Sequence, residues 1–272
     1  MKKFHFMITI FISVFAISLV FVNISGAAVD LKNAFVIWTF SEGTGTTVKD
    51  MSGNGNDGKF QKDVKWVDGK SGKGVQLDGK TTAVMSSTVK GVGKTAISEC
   101  LWVKFSDLTP ENQFGYISCT GTSNARYFYY STWSSAGAPN DAVHCGTLDT
   151  KGAWGRGIAT GRIFKKDIWY FIAGVIDTKA GLIRVYVDGK KPGDGELKID
   201  AGDIPGTPKE IWAGSSPENY AFVAGTIDDV AFFNVALSEA DVNDIMKNGF
   251  GNTTAVQAGG KVAIEWGNIK TQ

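Results

Sequence analysis

The chain has 272 residues, of which 43% are hydrophobic and 20% charged, which is the composition of a folded protein and not of a disordered chain. Its formal net charge of +1 excludes attraction to nucleic acid through bulk positive charge. The 34 glycines, set against 6 prolines, favour many tight turns, as in β-proteins.

Residues 1–27 have the pattern of a secretory signal peptide. Lys2 and Lys3 form a basic start, an apolar run covers residues 6–22, and the small residues 25–27 (SGA) provide a cleavage site after Ala27. The alternative is an uncleaved anchor helix, for which the run is near the lower length limit. The remaining residues carry a net charge of −1. We therefore expect an exported protein, secreted, periplasmic or on the cell surface, with no membrane span after cleavage.

Three cysteines follow, at Cys100, Cys119 and Cys145, and they allow at most one internal disulfide bond. Cys119 and Cys145 flank an irregular stretch and can be paired on that ground. The alternative is that all three are small buried side chains. Their spacing is not that of a zinc site.

Short apolar runs separated by Gly, Asp and Asn predict β-strands throughout the chain. The clearest hairpin joins residues 169–176 to residues 182–187 through the turn DTKAG. Asp-Gly turn signals occur at 57–58, 68–69, 78–79, 188–189 and 194–195. Further strands are predicted at 35–40, 64–68, 74–78, 82–86, 95–105, 114–119, 126–132, 210–214 and 226–234. This spacing predicts an all-β sandwich or barrel.

One helix is predicted near the end of the chain. Ser238 and Asp241 form a capping-box pattern, the apolar residues at 242, 245 and 246 form one stripe, and Gly249 suits the end of the helix. We expect a single domain over residues 28–250 and a tail, 251–272, that docks on the sandwich.

Three segments together resemble a known family. They are VIWTFSEGTGTTVKDMSGNGNDGKF at 36–60, the hairpin at 169–190, and GTIDDVAFFNVALSEADVNDIMKNG at 225–249. This arrangement resembles the laminin-G-like jelly-roll domains of the concanavalin A-like lectin/glucanase superfamily. The resemblance implies a two-sheet antiparallel jelly-roll sandwich that recognises carbohydrate or protein, often with a structural calcium ion.

Calcium ligands are predicted in the loop DMSGNGNDG, residues 50–58. Aspartate and asparagine oxygens and glycine-exposed carbonyls suit the six to eight oxygens that calcium takes. The resemblance implies Asp50, Asn54 through its carbonyl, and Asp228 as ligands, with Glu42 and Asp57 as weaker candidates. The alternative is a tight turn held by its own Asx side chains, without metal.

An enzymatic function is not expected. Glucanases of the superfamily carry Glu-x-Asp-x-x-Glu on a concave strand, and the nearest match, Glu239-x-Asp241-x-x-Asp244, falls on the predicted helix. Glu99 is the one interior carboxylate of the predicted central strands 95–105 and 169–176.

Sugar-binding residues are sought among aromatic side chains, because sugar faces stack on exposed Tyr and Trp rings. The candidates are Tyr127, Tyr129, Trp133, Trp154 and Tyr220. Trp133 and Trp154 bracket a long Gly-, Ser- and Ala-rich loop predicted at 134–153. Trp38, Trp102, Trp169 and Trp212 are assigned to the core. The leading hypothesis is a calcium-stabilised carbohydrate-binding module. An adhesion or scaffold module for protein or matrix is the alternative, and a polysaccharide-cleaving enzyme is a third.

Overall fold

The computed structural model describes residues 29–108, 116–122, 125–131, 142–161, 163–217 and 222–250. These residues form two antiparallel sheets, one short α-helix and a 3₁₀ turn at Leu31–Asn33. In chain order the strands are β1 (Ala34–Trp38), β2 (Thr47–Val48), β3 (Gly58–Phe60), β4 (Lys65–Asp68), β5 (Lys73–Asp78), β6 (Val84–Ser86), β7 (Ala96–Phe105), β8 (Tyr116–Thr122), β9 (Ala125–Ser131), β10 (His144–Leu148), β11 (Trp154–Ala159), β12 (Trp169–Asp177), β13 (Leu182–Val187), β14 (Glu196–Lys198), β15 (Glu210–Ala213) and β16 (Ala224–Phe233). The helix is α1 (Glu239–Asn248).

The first sheet has the strand order β14-β13-β12-β7-β16-β5-β4, and β1 pairs with β16 outside this path. The second sheet has the order β11-β10-β9-β8-β15-β6-β3-β2. The N-terminal strand β1 lies beside the last strand β16, as the resemblance implies. The predicted two-sheet jelly-roll sandwich is therefore confirmed.

Apolar side chains are buried on both faces of the first sheet. On β7, Ile97, Leu101 and Val103 belong to the inner core between the two sheets. The alternate residues Cys100 and Trp102 belong to an outer cluster that α1 covers with Val242 and Ile245. Because a strand turns successive side chains to opposite faces, a central strand buried on both faces reads as one continuous apolar run.

The predicted helix is confirmed with its cap. The Ser238 hydroxyl accepts a bond from the Asp241 backbone N–H, and the Asp241 carboxylate accepts one from the Ser238 N–H. Gly249 ends the helix at φ 61°. These bonds satisfy N–H groups that have no partner inside the helix.

Two Asp-Gly pairs show different roles for the same dipeptide. Asp188 and Gly189 both have positive φ, 50° and 75°, and form the two-residue turn between Val187 and Lys190 that was predicted. The prediction of a turn at 57–58 is wrong, because Gly58 begins β3. A Cβ atom there would lie 2.7 Å from the side chain of Val48 and 2.8 Å from that of Val84, so close packing requires the glycine.

The long loop predicted at 134–153 is only partly correct. Residues 132–141 lie outside the described residues, but His144–Leu148 forms β10, which pairs with both β9 and β11. The sequences HCGTL and WGRGIA carry glycines and no apolar alternation, so their strand structure depends on these neighbours. Strands β2, β3 and β14 are also absent from the prediction, since two or three residues give no period to detect.

Cys145 does not form the disulfide bond that was considered between Cys119 and Cys145. Cys100 and Cys145 carry free, buried thiols, as the alternative of small buried side chains predicts. Cys145 lies in the inner core, and burial raises the pKa of its thiol. Such a thiol is unreactive, because the thiolate is the nucleophilic form.

Glu99 occupies the middle of β7 and is the unusual group in this core. Its side chain is fully buried, and neither carboxyl oxygen has a hydrogen-bond partner. Burial alone raises the pKa of this carboxyl well above its usual value. The folded protein therefore holds Glu99 in its neutral form at pH values where the unfolded chain ionises it.

We expect the Glu99→Met variant to be more stable than the parent at pH 8. Since the folded pKa is raised, the parent is fully stabilised below about pH 4.5 and loses stability as the pH rises toward the folded pKa. Over that range the gap between variant and parent widens by up to about 1.4 kcal/mol per pH unit. Thermal and urea unfolding between pH 4 and 8 measure the gap.

Glu196→Gln is the control for this prediction. Glu196 is partly exposed, and bonds from Lys191 and Arg184 lower its pKa. Its contribution to the stability of the fold is therefore lost at acid pH and is constant toward pH 8. A gap between Glu99→Met and the parent that stays constant with pH would contradict the account of Glu99.

Candidate functional site

The 50–58 loop is organised around the carboxylate of Asp50. Its Oδ1 accepts bonds from the backbone N–H groups of Ile37 at 3.0 Å and Ser52 at 2.9 Å. Its Oδ2 accepts from the Ser52 hydroxyl at 2.8 Å and the Asn56 N–H at 2.9 Å. Both oxygens of the principal predicted calcium ligand are thus occupied by N–H and O–H donors.

Asn56, which was not among the predicted site residues, ties this loop to the sandwich. Its side chain is fully buried and donates to the carbonyl of Phe35 at 2.6 Å and of Lys90 at 3.1 Å, and its Oδ1 accepts from the Lys90 N–H. The indole of Trp38 donates to the Asn56 carbonyl at 2.9 Å. Only the position of Asn56 in an Asn- and Gly-rich turn hints at this role in the sequence.

The remaining loop candidates are also engaged in local bonds. Asn54 donates to the carbonyl of Ala34 and to the Ser52 hydroxyl. Asp57 accepts from the Asp50 N–H and from the Lys49 ammonium group, and these two bonds lower its pKa. Glu42 accepts from the Lys49 N–H through Oε1, while its Oε2 is buried without a partner.

Asp228 lies on β16 and bonds a different loop. Its Oδ2 accepts from the backbone N–H groups of Lys70 at 2.9 Å and Ser71 at 3.0 Å, and its Oδ1 accepts from the Asp229 N–H. Burial, and then the charge of Asp229, raise the pKa of Asp228 to about 7, and burial raises that of Asp229 to about 6. Asp229 has φ 50° where the register of β16 against β7 breaks.

The four predicted carboxylate ligands, Glu42, Asp50, Asp57 and Asp228, do not form a metal-binding cluster, and the fifth predicted ligand is the carbonyl of Asn54. Within the described ranges, no group of three or more His, Cys, Asp or Glu residues is arranged to hold a metal ion. Asp50, Asp57 and Asp228 instead stabilise turns by accepting N–H bonds, which is the Asx-turn alternative. Calcium binding stays a prediction that rests on the resemblance.

The outer face of the second sheet is the other candidate site. On β15, Ile211 and Ala213 face the inner core, so the alternate residues Glu210 and Trp212 face outward. The Trp212 indole donates to the Glu210 carboxylate at 3.0 Å. Trp212 is only 6% exposed, so it is buried as predicted, and the alternation of EIWA is the sequence signal that places it on this face and outside the inner core.

Tyr129 lies in the same cross-strand row as Trp212. In the pairing of the strands, Trp212 stands opposite Cys119, Cys119 opposite Tyr129, and Tyr129 opposite Gly146. Because residues paired across a sheet share a face, the position of Tyr129 belongs to the outer face. Tyr127 falls at an irregularity in the pairing of β9 with β8, between Phe128 and Arg126, so this row does not fix its face.

The other aromatic candidates are placed unevenly. Trp154 begins β11, which brings its backbone to the edge of the same sheet. Trp133 and Tyr220 lie outside the described residues. Trp38, Trp102 and Trp212 are buried as predicted, but Trp169 is only partly buried, with the Lys104 ammonium group 5.0 Å from its ring centroid.

The carboxylates considered for catalysis are dispersed. Glu239, Asp241 and Asp244 lie on α1, where Asp241 caps the helix. Glu99 lies inside the core, without access to the surface.

In the described part of the chain no helix combines the length and apolarity that a membrane crossing needs.

The comparisons with known proteins agree with this architecture. Residues 78–243 match the laminin-G-like family model of the concanavalin A-like lectin/glucanases superfamily. No curated protein matches the sequence.

Among solved structures, the chain is similar to domain 4 of AbnA, a GH43 extracellular arabinanase from Geobacillus stearothermophilus, in complex with arabinotriose. The identity is 18% and the TM-score 0.54, with 79% of this chain and 98% of that domain covered. The ligand-binding domain of botulinum neurotoxin serotype D, in complex with N-acetylneuraminic acid, is 15% identical with a TM-score of 0.61, covering 80% of this chain and 51% of that one. The type G receptor-binding domain is 15% identical with a TM-score of 0.60, covering 79% and 51%.

This chain thus spans about half the length of the neurotoxin domains. At such identities the similarity shows a shared fold. Together with a family match over more than half of its residues, the two-sheet jelly roll shows that the chain belongs to the laminin-G-like family of the concanavalin A-like lectin/glucanase superfamily.

Proposed function

We propose that the protein is an exported, non-catalytic module that binds extracellular carbohydrate through the outer face of its second sheet. The observation that carries this proposal is the cross-strand row of Trp212, Cys119, Tyr129 and Gly146, which assigns the position of Tyr129 to a face turned away from the core. Aromatic rings on such a face supply stacking surface for sugars. Complexes of similar domains with arabinotriose and N-acetylneuraminic acid support the same class of ligand.

A glycan array probed with the full chain tests this function. We expect binding to a neutral or sialylated oligosaccharide, and a loss of at least about tenfold in affinity for the double variant Tyr127→Ala/Tyr129→Ala, since tenfold corresponds to about 1.4 kcal/mol. Ile168→Ala is the control, because Ile168 is an exposed apolar side chain beside the first sheet. An empty array, with and without calcium, would count against the proposal.

A protein or matrix ligand is the second candidate, and the similarity to a neurotoxin receptor-binding domain favours it. The two candidates differ in one measurement. A carbohydrate ligand makes capture of cell-envelope material sensitive to enzymatic removal of sugars. A protein ligand leaves capture unchanged after that treatment.

Absence of catalysis is part of the proposal and is tested on the same ligand. Glycoside hydrolysis needs two carboxylates about 5–10 Å apart around the sugar, whereas Glu99 is buried in the core and Asp228 is bonded to backbone amides. We expect no new reducing ends when the bound oligosaccharide is incubated with the protein. Release of reducing ends that persists after repurification of the protein, and that is lost when one carboxylate is replaced, would contradict the proposed absence of catalysis.

Calcium is proposed as a structural ion on the strength of the family, with loop carbonyl oxygens as ligands in place of the bonded carboxylates. A metal that binds only the folded state raises the unfolding temperature by mass action. We expect EDTA-stripped protein to take up calcium with measurable heat and a higher unfolding temperature, and magnesium to have a smaller effect. If calcium produces no heat and no change in unfolding temperature, calcium binding is excluded from the proposal.

A further inference from the structure

The chain contains two Asn-Gly pairs, Asn54-Gly55 in the 50–58 loop and Asn248-Gly249 at the end of α1. In such a pair the backbone nitrogen of the glycine can attack the side-chain amide carbon of the asparagine. Glycine favours this attack because it has no side chain to obstruct the approach and because its backbone is flexible. The proposed function uses neither asparagine side chain, and the two pairs differ in how the fold holds the glycine nitrogen.

The fold engages the glycine nitrogen of the Asn248-Gly249 pair. The Gly249 N–H donates to the carbonyl of Ile245 at 2.8 Å, which closes the last turn of α1. Attack on the Asn248 amide requires this bond to break and the end of the helix to open. The pair at the end of α1 is therefore protected as long as the helix is intact.

The glycine nitrogen of the Asn54-Gly55 pair is not engaged. Gly55 is exposed, and its N–H has no hydrogen-bond acceptor among the residues that the structure describes. Gly55 has φ 76°, and a Cβ atom there would meet only the Lys90 ammonium group, at 3.9 Å. Gly53, on the other side of Asn54, has φ 86° and open space around it. The backbone on both sides of Asn54 can therefore rotate into the geometry that the attack needs.

The side chains of the two asparagines are held to a similar degree, so they do not account for a difference in reactivity. Asn54 donates through Nδ2 to the carbonyl of Ala34 at 3.2 Å and to the hydroxyl of Ser52 at 3.1 Å. Asn248 donates through Nδ2 to the Asp244 carboxylate at 2.7 Å. The contrast between the two pairs thus lies in the glycine nitrogen.

We propose that Asn54 is a modification site of the folded protein, at which the side-chain amide is lost spontaneously. Water or hydroxide takes the proton of the Gly55 N–H, and the nitrogen forms a bond to Cγ of Asn54. The bond from Cγ to Nδ2 breaks and ammonia leaves, so that a succinimide ring remains. A water molecule then opens the ring at either carbonyl carbon, which yields aspartate or isoaspartate at this position.

The modification weakens the attachment of the 50–58 loop to β1. A carboxylate in place of the Asn54 amide cannot donate to the Ala34 carbonyl, so repulsion between two oxygens replaces a hydrogen bond. Isoaspartate also adds one carbon to the backbone shortly before Asn56, whose side chain donates to the carbonyls of Phe35 and Lys90. We therefore expect the modified protein to unfold at a lower temperature than the unmodified protein.

The test is peptide mapping by mass spectrometry of the full chain after incubation at mildly alkaline pH. We expect the folded protein to lose the amide at Asn54 at least about fivefold faster than at Asn248, since releasing a bonded backbone N–H costs about 1 kcal/mol. In urea, where neither glycine nitrogen is held, the two rates should be similar. Equal rates in the folded protein, faster loss at Asn248, or loss at Asn54 only after unfolding would overturn the proposal.

Three variants complete the experiment. Asn248→Gln is the matched control and should leave the rate at Asn54 unchanged. Asn54→Gln should stay unmodified at this position, because attack on the longer side chain must form a larger ring, which closes more slowly. Asn54→Asp carries one of the products and should lower the unfolding temperature, and an unchanged temperature would contradict the proposed weakening of the loop. These measurements involve no carbohydrate, so their outcome is independent of the proposed function.

Discussion

Burial of the central strands on both faces is the constraint on which the rest of the structure depends. Strands β7, β12 and β16 stand next to one another in the first sheet, and each has the inner core on one side. On the other side lies the outer cluster beneath α1. Every side chain in the middle of these strands is therefore removed from water, whichever way it points. The hydrophobic free energy gained in this way grows with apolar area, at about 25 cal/mol per Å².

The same constraint explains why polar groups in these strands are costly and what accompanies each of them. Asp228 lies at the end of the buried region. Three bonds from backbone N–H groups to its carboxylate partly offset the free-energy cost of its desolvation. Glu99 has no such partners and stays neutral, which limits its penalty to that of an unpaired polar group. Neither arrangement leaves a carboxylate free to attack a sugar. The ligand contacts that we propose therefore lie on the outer face of the second sheet.

Double burial also explains which elements the sequence could predict. Long apolar runs such as WYFIAGVI, together with Asp188-Gly189 and the Ser238 cap, encode their own structure, and β12, β13 and α1 follow the prediction within one or two residues. Strands β10 and β11 contain Gly146, Gly155 and Gly157 and become strands only through pairing with β9 and with each other. Trp169 packs against the outer cluster but is only partly buried. Composition alone cannot show that this residue lies at the margin of the cluster and not at its centre.

The candidate sites were less predictable than the fold because they depend on register. The loop DMSGNGNDG reads equally well as a calcium loop and as a bonded turn. The difference lies in whether the Asp50 oxygens meet an ion or the N–H groups of Ile37, Ser52 and Asn56, and Ile37 is thirteen residues away. The outer face of the first sheet has no sequence motif either, since Lys65, Gln76, Lys104, Trp169 and Thr226 pair across five strands scattered over the chain. What brings them together is the pairing of strands whose apolar residues must face inward, so the polar surface is fixed as a consequence of the core.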